Sequence, residues 1–531
     1  MLQGTIHPHS SLFNLLTHLT WLDLSSNSLN GTLPSWLFTS PSLEALFLDG
    51  NMFSGNVPFD SFALPSLIGL DLSNNQLGGQ IDVQTFPQLT NLTGMYLSQN
   101  NFSGELELDT LLSTLTNLEV LRLSYNGFSV TTKNTNHYVN PGFRELYLAS
   151  CRLKVFPNSL RAMKKLEILD LSQNEIHGQI PHWAGEIGGT YGLSYVNLSH
   201  NFITGLPQFQ WYGLRYLYLQ SNLIEGPFPP SICNMSDLGY LDMSNNRFGG
   251  VIPECVGSMS TLSMIDLGTN NFHGTIPKNI SSSLEDLNVK SNKIEGSFPP
   301  SICNLSNLRS LDMSNNSFGG VIPECVGSMM STLSMINLGT NNFRGTIPNV
   351  FNEFVYFEGL ILNGNLLEGE VPHSLSKCQS LKVLDLGNNK LSGAFPKWLG
   401  GLSELQVLVL KSNNFHGPIE IYTSMEHAFS SLQVLDLSHN WFAGKLPDIF
   451  YQNFKVRQNM CEPLSSPDVY GDGDESGFTW KVVTLGYGCG TLLGLVMGYL
   501  MLSTRKVKWF NAIADAAESL AEEFWGGAGI L

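Results

Sequence analysis

The chain has 531 residues, 44 acidic against 27 basic side chains, a net charge of −17 and only 13% charged residues. That length admits several compact domains or one long repeat array, and without a basic footprint the composition argues against nucleic-acid binding. Eight cysteines are too few for a disulfide scaffold at this size, and the 51 glycines recur on a period rather than in a flexible tract.

Residues 1–15 lack the basic start and long apolar core of a secretory leader; Leu2-x-Gly4-x-Ile6 reads as the tail of a partial leading repeat, with no N-terminal cap before it. Over 16–448 one pattern recurs, clearest at Leu238–Pro253, LGYLDMSNNRFGGVIP. Its L-x-L core alternates with period 2 and reads as a strand with one buried face. Asn246 is expected to end that strand and bond backbone groups at a buried corner. Gly250 frees a second turn and Pro253 fixes φ before the return. One unit cannot stand alone, so the copies are expected to stack as a solenoid. The asparagine position recurs from Asn27 to Asn440 in 18 copies, spaced 21 to 27 residues and mostly 24, with Cys151 replacing it once in a structural role.

Two irregularities interrupt the array. Between Phe128 and Phe143 the run SVTTKNTNHYVNPG lacks the G-x-I-P ending and is expected to leave the coil as a polar loop. The block from Pro229 to Pro277 is nearly repeated from Pro299 to Pro348, with the ladder asparagine offset by 70 residues, from Asn246 to Asn316. In each copy two cysteines follow the repeat proline on adjacent coils, making Cys233–Cys255 and Cys303–Cys325 candidate disulfides on the convex side; Cys378, Cys461 and Cys489 have no evident mates. Eight N-x-[ST] sequons, at Asn30, Asn91, Asn101, Asn197, Asn234, Asn279, Asn304 and Asn315, all precede the late apolar segment and suggest a glycosylated ectodomain.

Residues 449–481 leave the pattern and become acidic around Asp468, Asp472, Asp474 and Glu475; DGDESG lacks the twelfth-position glutamate of a calcium loop. Val482–Leu502 is 21 residues without a charge, about 31 Å as a helix, and bounds a predicted membrane span over 482–504. Arg505, Lys506 and Lys508 follow, placing the tail 505–531 in the cytosol and the repeats outside. Gly486, Gly490, Gly494 and Gly498 fall four apart, a face on which a second helix can pair.

On the concave face most repeats carry Asp or Asn at the x of L-x-L, as at Asp71, Asp170 and Asp242. Repeats 4 to 10 differ, presenting Tyr96, Arg122, Tyr125, Arg144, Tyr147, Tyr195, Arg215, Tyr216, Tyr218 and Tyr240. Tyrosine and arginine dominate binding hot spots, so this stripe is either a ligand surface or ordinary solvated strand variation. No nucleophile–base or metal constellation occurs, so no catalytic residue, metal or cofactor is expected.

The L-x-x-L-x-L-x-x-N-x-L-x-G-x-I-P unit resembles the plant-type leucine-rich repeat. With SLFNLLTHLTWLDLSSN, GYGCGTLLGLVMGY and a tail too short for a kinase, the whole chain resembles a plant leucine-rich-repeat receptor-like protein. The resemblance implies an α/β-type leucine-rich-repeat solenoid, a plant-type superhelix with its parallel β-sheet on the concave face, plus one transmembrane helix. It also implies a plasma-membrane receptor that binds an extracellular peptide, protein or glycan. Signalling, in defence or development, would run through a partner receptor kinase bound by the helix and the acidic Asp468–Glu475 segment. YQNFKVRQN resembles the entry to the family's island, and CEPLSSP a remnant of its C-terminal cap, so the polypeptide reads as a partial family member. A soluble hydrolase inhibitor, a receptor kinase lacking its catalytic domain and a nonfunctional fragment are the rival readings.

Overall fold

The structure is a computed structural model that describes residues 1–6, 18–81, 89–133, 139–189, 192–328, 332–353, 356–421 and 428–450. The predicted membrane span, its glycine face, Cys461, Cys489 and the tail lie outside the described residues. Among the described residues, no helix is long and apolar enough to cross a membrane.

Each repeat opens with a three-residue strand whose middle side chain is buried, as Leu241 is between Tyr240 and Asp242, except that Leu22 and Leu435 in the two end strands are half-buried. Eighteen such strands, from Trp21–Asp23 to Val434–Asp436, run parallel and pair in chain order. Leu241, for instance, faces Leu217 on one side and Ile265 on the other. One side chain per strand therefore enters a continuous core, and two face the concave surface.

The ladder asparagine lies four residues beyond the strand rather than at its end. Asn246 Nδ2 donates to the carbonyls of Leu219, Met243 and Ser244 at 2.9, 3.2 and 3.0 Å, while its Oδ1 accepts from Ile224 N–H at 3.0 Å. One amide thus satisfies backbone groups of two successive repeats that the turn would otherwise bury unpaired. The residue before it has a positive φ in every repeat, from Ser26 to His439, and is glycine only at Gly50 and Gly364. The turn imposes this left-handed geometry on side chains that rarely adopt it.

A second sheet, which the period-2 reading does not anticipate, forms after the asparagine where the x-F-x-G segment extends. It runs as six strands from Gln3–Thr5 to Gly127–Thr131, two at His177–Gln179 and Phe202–Gly205, and ten from Glu225–Pro227 to Trp441–Ala443. Residues 129–131 of the expected polar loop are strand in this sheet, paired with Glu105–Glu107, because Val130 is buried in the core like its counterparts. Residues 134–138 of that loop lie outside the described residues.

The sheet breaks around the repeat that carries Cys151. At this rung Asn174 Oδ1 of the next repeat accepts from both Cys151 N–H and Leu153 N–H, at 3.0 and 2.9 Å. The Cys151 Sγ makes only long contacts, 3.6 and 3.7 Å, with the carbonyls of Ala149 and Leu123. On the convex side, single 3-10 turns follow the repeat prolines, as at Pro230–Asn234 and Glu254–Ser258. Buried phenylalanines stack from one repeat to the next behind the second sheet, with Phe248 and Phe272 at 6.2 Å and Phe318 and Phe343 at 6.3 Å.

Candidate ligand-binding groove

Register across repeats assembles the concave surface. Val120–Arg122 pairs with Gly94–Tyr96 and with Glu145–Tyr147, so Arg122 lies directly between Tyr96 and Tyr147. Its guanidinium carbon sits 5.2 Å from the Tyr96 ring centroid and 4.4 Å from that of Tyr147, and Nη2 reaches Glu145 Oε2 at 2.6 Å. Gly94, beneath Tyr96, leaves the ring room: a Cβ there would meet Tyr96 Cε2 at 2.8 Å.

Burial works against the Arg122 charge, but the Glu145 carboxylate and the two phenols outweigh it and hold the guanidinium above its ordinary value. Burial raises Tyr96 and Tyr147, an effect the Arg122 charge offsets only in part. Burial, with Asp170 adding to it, pushes Tyr195 up to about 12. These phenols remain protonated at any physiological pH and can donate as well as accept.

Tyr96, Arg122, Tyr125, Tyr147 and Tyr195 line one open groove of about 910 Å³, together with Asp71, Asp170 and Asn197. Tyr216, Tyr218 and Tyr240 continue the surface beyond it, with Tyr216 stacked on Tyr240 at 4.9 Å and Tyr195 5.7 Å from Tyr218. Tyr125 takes the left-handed position before its asparagine, φ 59°, and also lines the groove. Arg144 and Arg215 sit one residue before their strands and do not line the groove. Arg144 pairs instead with Glu167 at 2.8 Å, an exposed pair worth little.

The aspartates have a role that residue type alone conceals. Asp242 Oδ1 accepts from Ser244 N–H at 3.0 Å and from its hydroxyl at 2.7 Å, and Asp71, Asp170 and Asp312 repeat the arrangement. The recurring Asp-x-Ser spacing was the available signal for this turn cap. Asn197 caps the same way, accepting from Ser199 N–H at 3.1 Å, while Ser199 is 3% exposed. A glycan on Asn197 would attach at Nδ2, which faces the Tyr195 hydroxyl, and would fill the groove that this residue lines. The other seven sequon asparagines are exposed.

Cys233 is joined to Cys255 and Cys303 to Cys325, each pair clamping adjacent convex turns with Cα atoms 5.8 Å apart. Cys151 and Cys378 are free and buried.

With this geometry in place, the chain matches the Leucine rich repeat family over residues 191–248 and 357–415, and a second profile of the same repeat over 18–39, 165–186, 283–305, 307–329 and 431–453. It is 30% identical to Receptor-like protein 32 of Arabidopsis thaliana over 70% of its own length and 35% of that protein's. It is 29% identical to Receptor-like protein 18 of the same plant over 85% and 42%. The chain thus spans about a third to two fifths of these relatives. Among solved structures it is similar to the Arabidopsis receptor kinase HAESA in complex with the peptide hormone IDA and the co-receptor SERK1, at 30% identity, TM-score 0.65, 83% of this chain and 82% of that one. The PEPR1–AtPEP1 structure matches at 26% identity and TM-score 0.69, over 84% and 69%.

Proposed function

We propose that this chain, which belongs to the plant leucine-rich-repeat receptor-like proteins, is a single-pass cell-surface receptor that binds an extracellular peptide along its concave face. The observation that carries this reading is the Tyr96–Arg122–Tyr147 stack opening into a groove of about 910 Å³. Ordered aromatic rings offer contact area at low entropic cost. The peptide complex of HAESA supports a peptide over the protein and glycan alternatives.

In this reading Val482–Leu502 crosses the plasma membrane, with repeats outside and residues 505–531 in the cytosol. The face of Gly486, Gly490, Gly494 and Gly498 pairs with the helix of a partner receptor kinase, which supplies the signalling step in defence. Asn30, Asn91, Asn101, Asn234, Asn279, Asn304 and Asn315 carry glycans.

The test is the full chain behind a secretory leader, tagged at Leu531 and expressed in leaf cells. Protease added outside should remove the repeats and spare the tag, and a receptor kinase should co-purify. Replacing Gly490 and Gly494 with leucine should cut that recovery at least fivefold. A tag digested from outside, or recovery unchanged by the leucines, would defeat the reading.

A further inference from the structure

The concave surface already holds one guanidinium between aromatic faces, that of Arg122 between Tyr96 and Tyr147. Two repeats further on, Tyr195, Tyr216, Tyr218 and Tyr240 form a second aromatic floor, with ring centroids 4.9 to 6.0 Å apart. Among the described residues no cation lies over these four rings. Tyr240 is 40% exposed, so the floor opens to solvent.

Carboxylates border this floor. Asp170 acts on Tyr195 and Asp242 on Tyr218. The hydrogen bonds to Asp242 come from the N–H and hydroxyl of Ser244, and those to Asp266 from Gly268 N–H and the Asn288 amide. All are neutral donors, so the hydrogen bonding orders the carboxylates without cancelling the charge they carry at pH 7, although burial raises both carboxyls. The basic side chains here are exposed Arg215, ahead of its strand, His200, which acts on Asp242, and Lys290, which acts on Asp266.

We propose that the Tyr195–Tyr216–Tyr218–Tyr240 floor receives an arginine or lysine side chain of an extended, basic peptide, as Tyr96 and Tyr147 receive Arg122. This rests on the receptor reading and adds the chemistry of the ligand. A guanidinium can lie flat on a phenol while its edge donates to Asp242, a combination that neutral and acidic side chains cannot make. The surrounding carboxylates draw a basic chain to the groove and repel an acidic one.

The experiment uses the full chain in detergent and fluorescent 12-residue peptides: one with alternating arginine and alanine, one with each arginine replaced by uncharged, isosteric citrulline, and one with glutamate. A chitosan oligomer is the glycan arm. The arginine peptide should bind at least tenfold tighter than the citrulline peptide. Tyr216→Ala with Tyr240→Ala, or Asp242→Asn, should each weaken it about tenfold, while Trp441→Ala, on the second sheet, should not. Size-exclusion profiles and thermal midpoints matching wild type establish that each variant is folded. Equal binding of arginine and citrulline peptides, indifference to the tyrosine and aspartate variants, or binding of chitosan alone would overturn the proposal. A neutral or acidic ligand that binds the wild type and is lost in Tyr147→Ala would overturn it while leaving the receptor reading intact. A ligand insensitive to every concave substitution would overturn both.

Discussion

Arg122 packs its guanidinium 4.4 Å from the ring centroid of Tyr147, the residue paired with it on the next strand, while Nη2 holds Glu145 at the other end of that strand. The cation fixes the ring, and the ring and carboxylate fix the cation. Arg122→Lys keeps the charge but cannot stack on two rings and bond Glu145 together. Because the Arg122 side chain is 38% exposed, stability should fall by only about 1 kcal/mol in urea unfolding. Ligand affinity should fall at least tenfold, about 1.4 kcal/mol or more. A loss of stability without a loss of affinity would make the stack a structural feature alone.

Asn174 serves two N–H donors where the ladder lacks an asparagine, so it is the most demanding rung. Asn174→Ala leaves the Cys151 and Leu153 amides and three carbonyls without their partner in a buried site. Stability should drop by roughly 3–5 kcal/mol, against roughly 1–3 for an exposed-end rung such as Asn440→Ala. Hydrogen exchange should accelerate first around residues 148–174. Equal losses at the two positions would contradict this account of the Cys151 repeat.

Burial pushes the Asp385 carboxyl up to about 6, against the Gly387 N–H bond and the Lys411 charge, which lower it. An unfolded aspartate titrates near about 4. The folded chain therefore binds more protons between about pH 4 and 6, and this group's contribution to stability increases as pH falls through that window. Asp266, also raised to about 6 by burial, acts in the same direction. Asp385→Asn retains the oxygen that accepts from Gly387 and removes the buried charge. It should stabilise the chain at pH 7 by roughly 1–3 kcal/mol and flatten the pH dependence of the thermal midpoint. An unchanged slope would show that this carboxyl titrates normally.

Cys151 and Cys378 are pushed up by burial to about 12 and about 11. Neither thiol should react with iodoacetamide in the native chain at pH 8, and both should react once it is unfolded. Rapid native labelling of either would show that its repeat opens.

The solenoid was legible because Leu241 and Asn246 stand for positions that recur on a period, and a buried strand residue and a buried turn amide each demand one chemical type. The second sheet was not, since a stretch such as Arg247–Gly250 is short, glycine-bearing and without alternation; its partner strands alone make it extended. The left-handed turn before each asparagine was hidden for a related reason: Tyr125 and Gln99 adopt it under tertiary constraint, with no glycine to announce it. In the groove, residue type marked Tyr96, Arg122 and Tyr147. That they stack depends on the pairing of strands from repeats of unequal length, which no single repeat encodes. Arg144 and Arg215 bear the same residue type one position early, and that offset places them outside the groove.

The most direct test of ligand binding on the concave face is site-specific photo-crosslinking in living plant tissue. A photoreactive phenylalanine replaces Tyr147 in one variant of the chain and the exposed Val251, beside the second sheet, in another. One defined extracellular peptide should crosslink at Tyr147, be displaced by an excess of its synthetic copy, and not crosslink at Val251. Crosslinking of that peptide at Val251 but not at Tyr147, in tissue that still responds to it, would contradict the account.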